Sequence, residues 1–158
     1  MNFLIGQRGR IQHDLFEIIE IIQRESESEL AYDAILLVGD GAIEGRLIEA
    51  PLAASQMEHQ YLLLVAVHSN GGQVSPPGFD TLKIGQRVSL GDDSFEITEI
   101  QRFRFRQESM HQIEVRTWTW LVSRNDPQEW ALVEYTQNDA VFFRGRVYDS
   151  AGLARIFI

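Results

Sequence analysis

Residues 4–21 align without a gap to residues 83–100, at an offset of 83 − 4 = 79 in a chain of 158 residues. Ten of the 18 aligned positions are identical, among them Ile5/Ile84, Gly6/Gly85, Gln7/Gln86, Arg8/Arg87, Phe16/Phe95, Glu17/Glu96 and Ile18/Ile97, where ordinary residue frequencies would give about one. Gly-Gln-Arg and the acidic positions match as well as the apolar ones, which excludes a coincidence between two hydrophobic strands. A repeat of this kind requires one local fold to serve twice. The match continues more weakly if the second copy carries an insertion of 85 − 79 = 6 residues, which sets residues 41–50 over 126–135 and pairs Glu44/Glu129, Leu47/Leu132 and Glu49/Glu134. A third block sets 61–72 over 141–152 at an offset of 80. The chain therefore reads as a first repeat over 1–70, a linker over 71–79 with Pro-Pro and Gly turn signals, and a second repeat over 80–158.

The repeat decides between helix and strand. Leu15, Ile18, Ile19 and Ile22 fit the face of a helix, but their counterparts follow a Gly91-Asp-Asp-Ser94 turn signal and run into Phe103 and Phe105, which alternate with Arg102, Arg104 and Arg106 at the period of a strand. Both copies carry Phe-x-Ile-x-x-Ile, whose apolar phase slips by one residue; a β-bulge near Ile19-Glu20 and Thr98-Glu99 accounts for the slip. Each copy then gives about five strands, at 7–12, 15–25, 32–38, 43–50 and 60–68, and at 86–91, 94–106, 112–123, 129–136 and 140–148. The expected class is all-β, with two pseudo-symmetric copies of a small rolled sheet or barrel of about five strands each. The single helical candidate is 52–60, after Pro51. A half-length unit buries only about 60–65% of its unfolded surface, so each copy alone would be marginal and the two are expected to pack together.

Composition removes whole classes of chemistry. The absence of Cys excludes disulfides, zinc-thiolate sites and thiol catalysis, and favours a cytoplasmic location. His13, His59, His68 and His111 are scattered without metal-ligand spacing, and there is no nucleophile elbow and no Gly-rich phosphate loop. Neither a metal nor another cofactor is expected. The longest apolar run, 61–67, is far short of the ~20 residues that cross a bilayer, so no direct membrane insertion is expected. The net charge of −9 opposes nucleic acid as a partner. The first 79 residues hold 4 basic and 11 acidic side chains, leaving 14 − 4 = 10 basic and 23 − 11 = 12 acidic for the rest, so even the Arg-rich half is not basic.

Two constellations remain. At offset 79, Arg104 and Arg106 align with Glu25 and Glu27. Equivalent elements meet at a two-fold axis, where like charges would repel, so opposite signs at equivalent places point to a contact between the repeats. Phe103 and Phe105 are the apolar candidates for its strength, and the same residues form the candidate partner surface. Trp118 and Trp120 share one strand face and form a candidate aromatic binding face for a sugar, a base or a Pro-rich peptide. The other reading, burial in a core, is the favoured one because unmatched large apolar surface is usually buried. The repeated carboxylates Glu17/Glu96, Glu20/Glu99, Glu44/Glu129 and Glu49/Glu134 are expected on the wet face of alternating strands.

Ile5-Gly6-Gln7-Arg8 with Phe16-Glu17-Ile18, and Ile84-Gly85-Gln86-Arg87 with Phe95-Glu96-Ile97, resemble the opening of the bacterial family called domain of unknown function 4178. The segments 32–37 and 118–121 resemble its aromatic strand, and Leu47-Ile48-Glu49 and Leu132-Val133-Glu134 the strand that follows. The central Glu of the family's aromatic strand is missing from both copies. The resemblance implies two tandem β-rich accessory modules, often encoded near membrane-stress or polyamine genes, with no established catalytic residue. The expected function is a non-catalytic interaction or scaffold module whose partner is a protein, and a homo-oligomer is compatible with it. The alternative is a small-molecule or glycan binder, or a hydrolase using repeated glutamates between the copies, with Glu20, Glu99 or Trp120 lining a concave site.

Overall fold

A computed structural model describes residues 3–27, 29–49, 60–69, 72–73, 82–90, 93–107, 112–137 and 139–158. The first repeat forms β1 (Arg8–Ile11), β2 (Asp14–Glu25), β3 (Leu30–Val38), β4 (Ile43–Glu49) and β5 (Gln60–Ala66). A two-residue hairpin follows, β6 (His68–Ser69) with β7 (Gly72–Gln73). The second repeat forms β8 (Arg87–Leu90), β9 (Asp93–Gln107), β10 (Ile113–Ser123), β11 (Glu129–Tyr135) and β12 (Ala140–Asp149), and the described residues end in α1 (Ser150–Ile156). The ten principal strands lie within two residues of the expected boundaries. The expected helix falls outside the described residues except for Gln60, which belongs to β5, and of the expected linker only β7 is described.

The repeated turn shows why Gly-Gln-Arg occurs twice. Gly6 and Gly85 take φ of +91° and +87°, a backbone that disfavours any side chain. Their amides donate to Ile18 O and Ile97 O, both at 2.8 Å, and Ile18 N and Ile97 N donate to Gln7 O and Gln86 O, both at 2.9 Å. The side chains of Gln7 and Gln86 accept from Leu4 N and Lys83 N at 3.3 and 2.9 Å. Arg8 faces Glu17, and Arg87 faces Glu96, across equivalent ladders.

Bulges then redirect both long strands. Ile18 pairs with Leu36, but Glu20 pairs with Ile35, leaving Ile19 as the extra residue. In the second repeat Ile97 pairs with Leu121 and Glu99 with Trp120, leaving Thr98 extra. Because side chains alternate with period 2, one extra residue moves every following side chain to the other face of the neighbouring strand. Phe16 and Ile18 therefore cover the outer face of β3, and Ile22 beyond the bulge points to the opposite face. Phe95 and Phe103 divide in the same way.

The bend lets β2 and β9 each use one edge twice. The first part of β2 pairs with β1 and its end pairs with β9, while the first part of β9 pairs with β8. Strands β2-β3-β4-β5-β12-β11-β10-β9 thus close into an antiparallel ring of eight, with β1 and β8 outside it. Five of the ten principal strands come from residues 1–70 and five from 80–158, and the barrel closes only across both segments. Two ladders join the halves. One contains Val65↔Arg144 and the other Glu25↔Arg104, and 144 − 65 and 104 − 25 both equal the repeat offset of 79.

The barrel interior is one cluster with contributions from all eight strands, including Ile22, Ile35, Ile48, Leu64, Phe143, Leu132, Trp118 and Phe103. Two smaller clusters lie on the outer faces. One, around Phe16, Leu36, Leu47 and Leu63, is closed by Leu153 of α1; the other gathers Phe95, Leu121, Val133 and Phe142. Asp149 caps α1 by accepting from Gly152 N at 2.6 Å. Opposite Leu64, the interior position of β12 is Gly145, where an added Cβ would lie 1.8 Å from Leu63 O. Only glycine permits so close an approach of β12 to β5.

The weaker alignments are corrected by the ladders. Leu36 pairs with Gly45 and Leu121 with Ala131, so Gly45 corresponds to Ala131 at 131 − 45 = 86, one more than the expected 85. Likewise Leu64 opposite Arg46 corresponds to Phe143 opposite Leu132, an offset of 143 − 64 = 79 rather than 80. A slip of one residue exchanges faces. Glu49, opposite Tyr61 on the outside, is therefore no counterpart of Glu134, which points into the barrel.

Candidate functional site

The barrel interior carries charge as well as aromatic bulk. On β2, β3, β4, β10 and β11 the inward phase includes Arg24, Asp33, Arg46, Arg116 and Glu134; Arg24, Asp33, Arg46 and Glu134 are buried. Uncompensated charges there would cost several kcal/mol each, so pairing decides whether the barrel can form. Arg24 Nε donates to Asp33 Oδ2 at 2.8 Å, and its guanidinium sits 4.8 Å from the Phe103 ring centroid and 4.9 Å from that of Trp118. Glu134 accepts from Arg46 Nη1 and Nη2 at 3.1 and 3.2 Å, from Arg116 Nη1 at 3.0 Å and from Trp118 Nε1 at 2.8 Å. Each of these arginines also reaches a glutamate two residues earlier on its own strand, Glu44 at 3.2 Å and Glu114 at 3.0 Å.

The two buried carboxylates titrate in opposite directions. Burial pushes Glu134 up, but Arg46, Arg116 and the Trp118 N–H outweigh it and hold the group below its ordinary range. Burial raises Asp33 above its ordinary value despite the Arg24 pair. Arg46, although buried, is raised by Glu134 and Glu44. Glu134 is thus clamped between two cations across the barrel, which favours its anionic form. This layer ties β4 of the first repeat to β10 and β11 of the second. Sequence reasoning misses it because the offset of 85 pairs Glu134 with Glu49. The available signal was phase: Arg24 follows Ile22 by two, Asp33 precedes Ile35, Arg46 precedes Ile48, Glu134 follows Leu132 and Arg116 precedes Trp118.

Trp118 and Trp120 are 0% and 1% exposed, so the candidate aromatic binding face is corrected to barrel core. Trp118 Nε1 is taken by Glu134, and Trp120 Nε1 donates to Gln101 Oε1 at 3.0 Å. The three tryptophans point inward, where they supply much of the bulk that fills an eight-stranded barrel. Phe103 and Phe105 are buried in the same cluster, each with its ring centroid 5.2 Å from that of Trp118. They join the repeats from within and are not available to an outside partner.

The outward phase of the same strands forms a different surface. Reading across β3, β2, β9 and β10, one row is Leu30↔Glu25↔Arg104↔Val115 and the next is Tyr32↔Gln23↔Arg106↔Ile113. The structure therefore sets Glu25 directly opposite Arg104, while Arg106 faces Gln23 and Glu27 lies beyond the end of β2. Leu30, Tyr32, Ile113 and Val115 are each at least 44% exposed. Beside the first row, Glu25, Glu27 and Glu29 share an open groove with Arg102 and Arg104; Glu99 also lines it. Among the described residues, none of Glu25, Glu27, Arg102, Arg104 and Arg106 forms an ion pair, although the groove places acids and bases side by side. Tyr135 lines the adjoining groove, and burial pushes its phenol up to about 12.

Other candidate residues are dispersed. His13 is exposed in the turn between β1 and β2; His59 and His111 lie outside the described residues. Among the described residues no group of three or more His, Asp or Glu is placed to hold a metal ion, and no helix is long and apolar enough to cross a membrane. Comparison with protein-family models, with curated proteins and with solved structures finds no match to this chain.

Proposed function

We propose that this protein is a non-catalytic interaction module whose binding surface is the outer face of β3, β2, β9 and β10. The observation that carries the reading is the pair of rows across the β2–β9 seam, where four exposed apolar side chains flank charges that form no ion pair among the described residues. Apolar groups beside unspent charges are the composition of a protein-binding patch: burial of the former supplies strength and pairing of the latter selects the partner. The interior supports the same reading from the other side. Its aromatic rings are packed on one another and its carboxylates are held by arginines, so the barrel acts as a rigid support for its surface. A cytoplasmic setting, and the resemblance to tandem copies of domain of unknown function 4178, belong to this proposal as its context.

The experiment is affinity capture from native lysate with three full-length proteins: wild type, Tyr32→Ser/Ile113→Ser on the seam face, and Ile84→Ser in the turn before β8. A partner kept by wild type and Ile84→Ser but lost by the seam variant supports the reading. Equal retention by all three, or loss only with Ile84→Ser, overturns it.

A further inference from the structure

The seam face is divided by charge. Its β2 side carries Glu25, with Glu27 just beyond the strand, and its β9 side carries Arg102, Arg104 and Arg106. Its apolar residues are divided likewise, with Leu30 and Tyr32 outside the acidic strand and Val115 and Ile113 outside the basic one. A 180° rotation about an axis lying in the face and parallel to the strands exchanges left and right while keeping each row at its own height. Two copies facing each other about that axis set Leu30 over Val115, Glu25 over Arg104, Tyr32 over Ile113 and Gln23 over Arg106. The acidic end at Glu27 comes over Arg102, the position that continues the β2–β9 register. The charged pairs Glu25–Arg104 and Glu27–Arg102 and the apolar pairs Leu30–Val115 and Tyr32–Ile113 are complementary, Arg106 meets the neutral Gln23, and none of these rows sets like charges together.

We propose that the occupant of this face is a second copy of the chain, bound as an isologous dimer about an axis along the β2–β9 seam. The inference rests on the reading of this face as an interaction surface and names its partner. The cis geometry favours it. Glu25 and Arg104 are direct ladder neighbours, yet neither is used in an ion pair among the described residues, so both can pair across the interface. Two sheets stacked face to face accept the small rotation that strand twist imposes. A net charge of −9 on each copy opposes association at long range, so the attraction must come from this local pattern.

The test is sedimentation velocity of the full chain over a concentration series, with three further samples. Arg102→Glu/Arg104→Glu sets acid against acid in the two charged rows and leaves Arg106 facing Gln23, and Glu25→Arg/Glu27→Arg sets base against base in the same rows; the third sample is an equimolar mixture of the two. Wild type should dimerise within the concentration series. Each variant alone should be at least about tenfold weaker, and the mixture should recover a dimer containing one of each. Recovery on mixing cannot arise from pairing within one chain. A wild type that stays monomeric at its highest soluble concentration, variants that dimerise like wild type, or a mixture that stays monomeric would each overturn the proposal. Fluorescence of the buried tryptophans checks that the variants fold; should either misfold, Ile113→Ser decides in its place, with a weaker dimer in support and an unchanged one against. A monomer that still captures a foreign partner through Tyr32 and Ile113 would refute the second copy as occupant while leaving the interaction reading intact.

Discussion

Replacing Glu134 by Leu removes the one carboxylate that both Arg46 and Arg116 share inside the barrel. The two guanidinium groups then remain in the core, with the half-exposed Glu44 and Glu114 as their ion-pair partners among the described residues. Breaking a buried pair by removing one side costs about 3–5 kcal/mol. The surviving rim contacts put the expected loss near the lower end, about 3 kcal/mol. For a domain of this size each kcal/mol lowers Tm by about 2–4 °C, which translates to roughly 6–12 °C. Urea titration followed by tryptophan fluorescence reads the change directly, since Trp118 and Trp120 lie in the interior cluster. The companion variant Arg46→Met/Glu134→Leu/Arg116→Met removes all three charges together and should recover most of that loss, leaving about 1 kcal/mol for the buried Trp118 N–H that loses its acceptor. If Glu134→Leu alone loses less than about 1 kcal/mol, the carboxylate is not the anion that holds the two arginines in the barrel. A triple variant as unstable as the single one would equally refute the charge argument, because packing alone would then explain the loss.

Gly145→Ala should cost more than an ordinary overpacking substitution, above about 3 kcal/mol, because its Cβ would meet the Leu63 carbonyl and backbone cannot rotate away as a side chain does; chemical denaturation measures it. Gly6→Ala and Gly85→Ala should each cost about 1 kcal/mol by the same assay, and nearly the same amount, since both turns share a positive φ and neither Cβ would meet a neighbour. Urea midpoints between roughly pH 3 and 6 should show two opposed carboxylates. Glu134 is lowered in the fold, so its contribution is present above its unfolded value and is lost as pH falls; Glu134→Gln should flatten the acid limb. Asp33 is raised, so it favours the fold increasingly as pH falls, and Asp33→Asn should steepen that limb.

The parts legible in the sequence are those that repeat locally. Gly-Gln-Arg, Phe-x-Ile and the one-residue slip at Ile19 and Thr98 each depend on residues within a few positions of one another, so two aligned copies were enough to place the turn, the strands and both bulges. Pairing between distant strands was not legible to the same accuracy. Offsets of 85 and 80 differ from the observed 86 and 79 by one residue, and nothing in a weakly matching strand penalises that slip until the neighbouring strand fixes its face. The error hid Glu134 among solvent-facing glutamates. It also hid the reason for three arginines at inward positions, because a buried charge looks like any polar residue until its partner, 134 − 46 = 88 residues away for Arg46, is known. The helix α1 escaped for a simpler reason. Seven residues that bury a single Leu153 give no periodicity, and only Asp149 as an N-cap marked its start. The seam stood between these cases. Opposite signs at Glu25 and Arg104 were visible as divergence within a repeat, whereas the apolar flanks Leu30, Tyr32, Ile113 and Val115 became a surface only when four strands were set side by side.

Closure of one barrel by both repeats rests on the β2–β9 ladder, and proton NMR of the wild-type chain tests it most directly. Antiparallel strands bring facing residues close enough for strong cross-strand contacts between their backbone protons. A closed ring predicts such contacts between Glu25 and Arg104 and between Gln23 and Arg106, alongside those of β2 with β3 and of β9 with β10. If the end of β2 contacts only β3, and the end of β9 only β10, the barrel is open at the seam and the surface built across it does not exist.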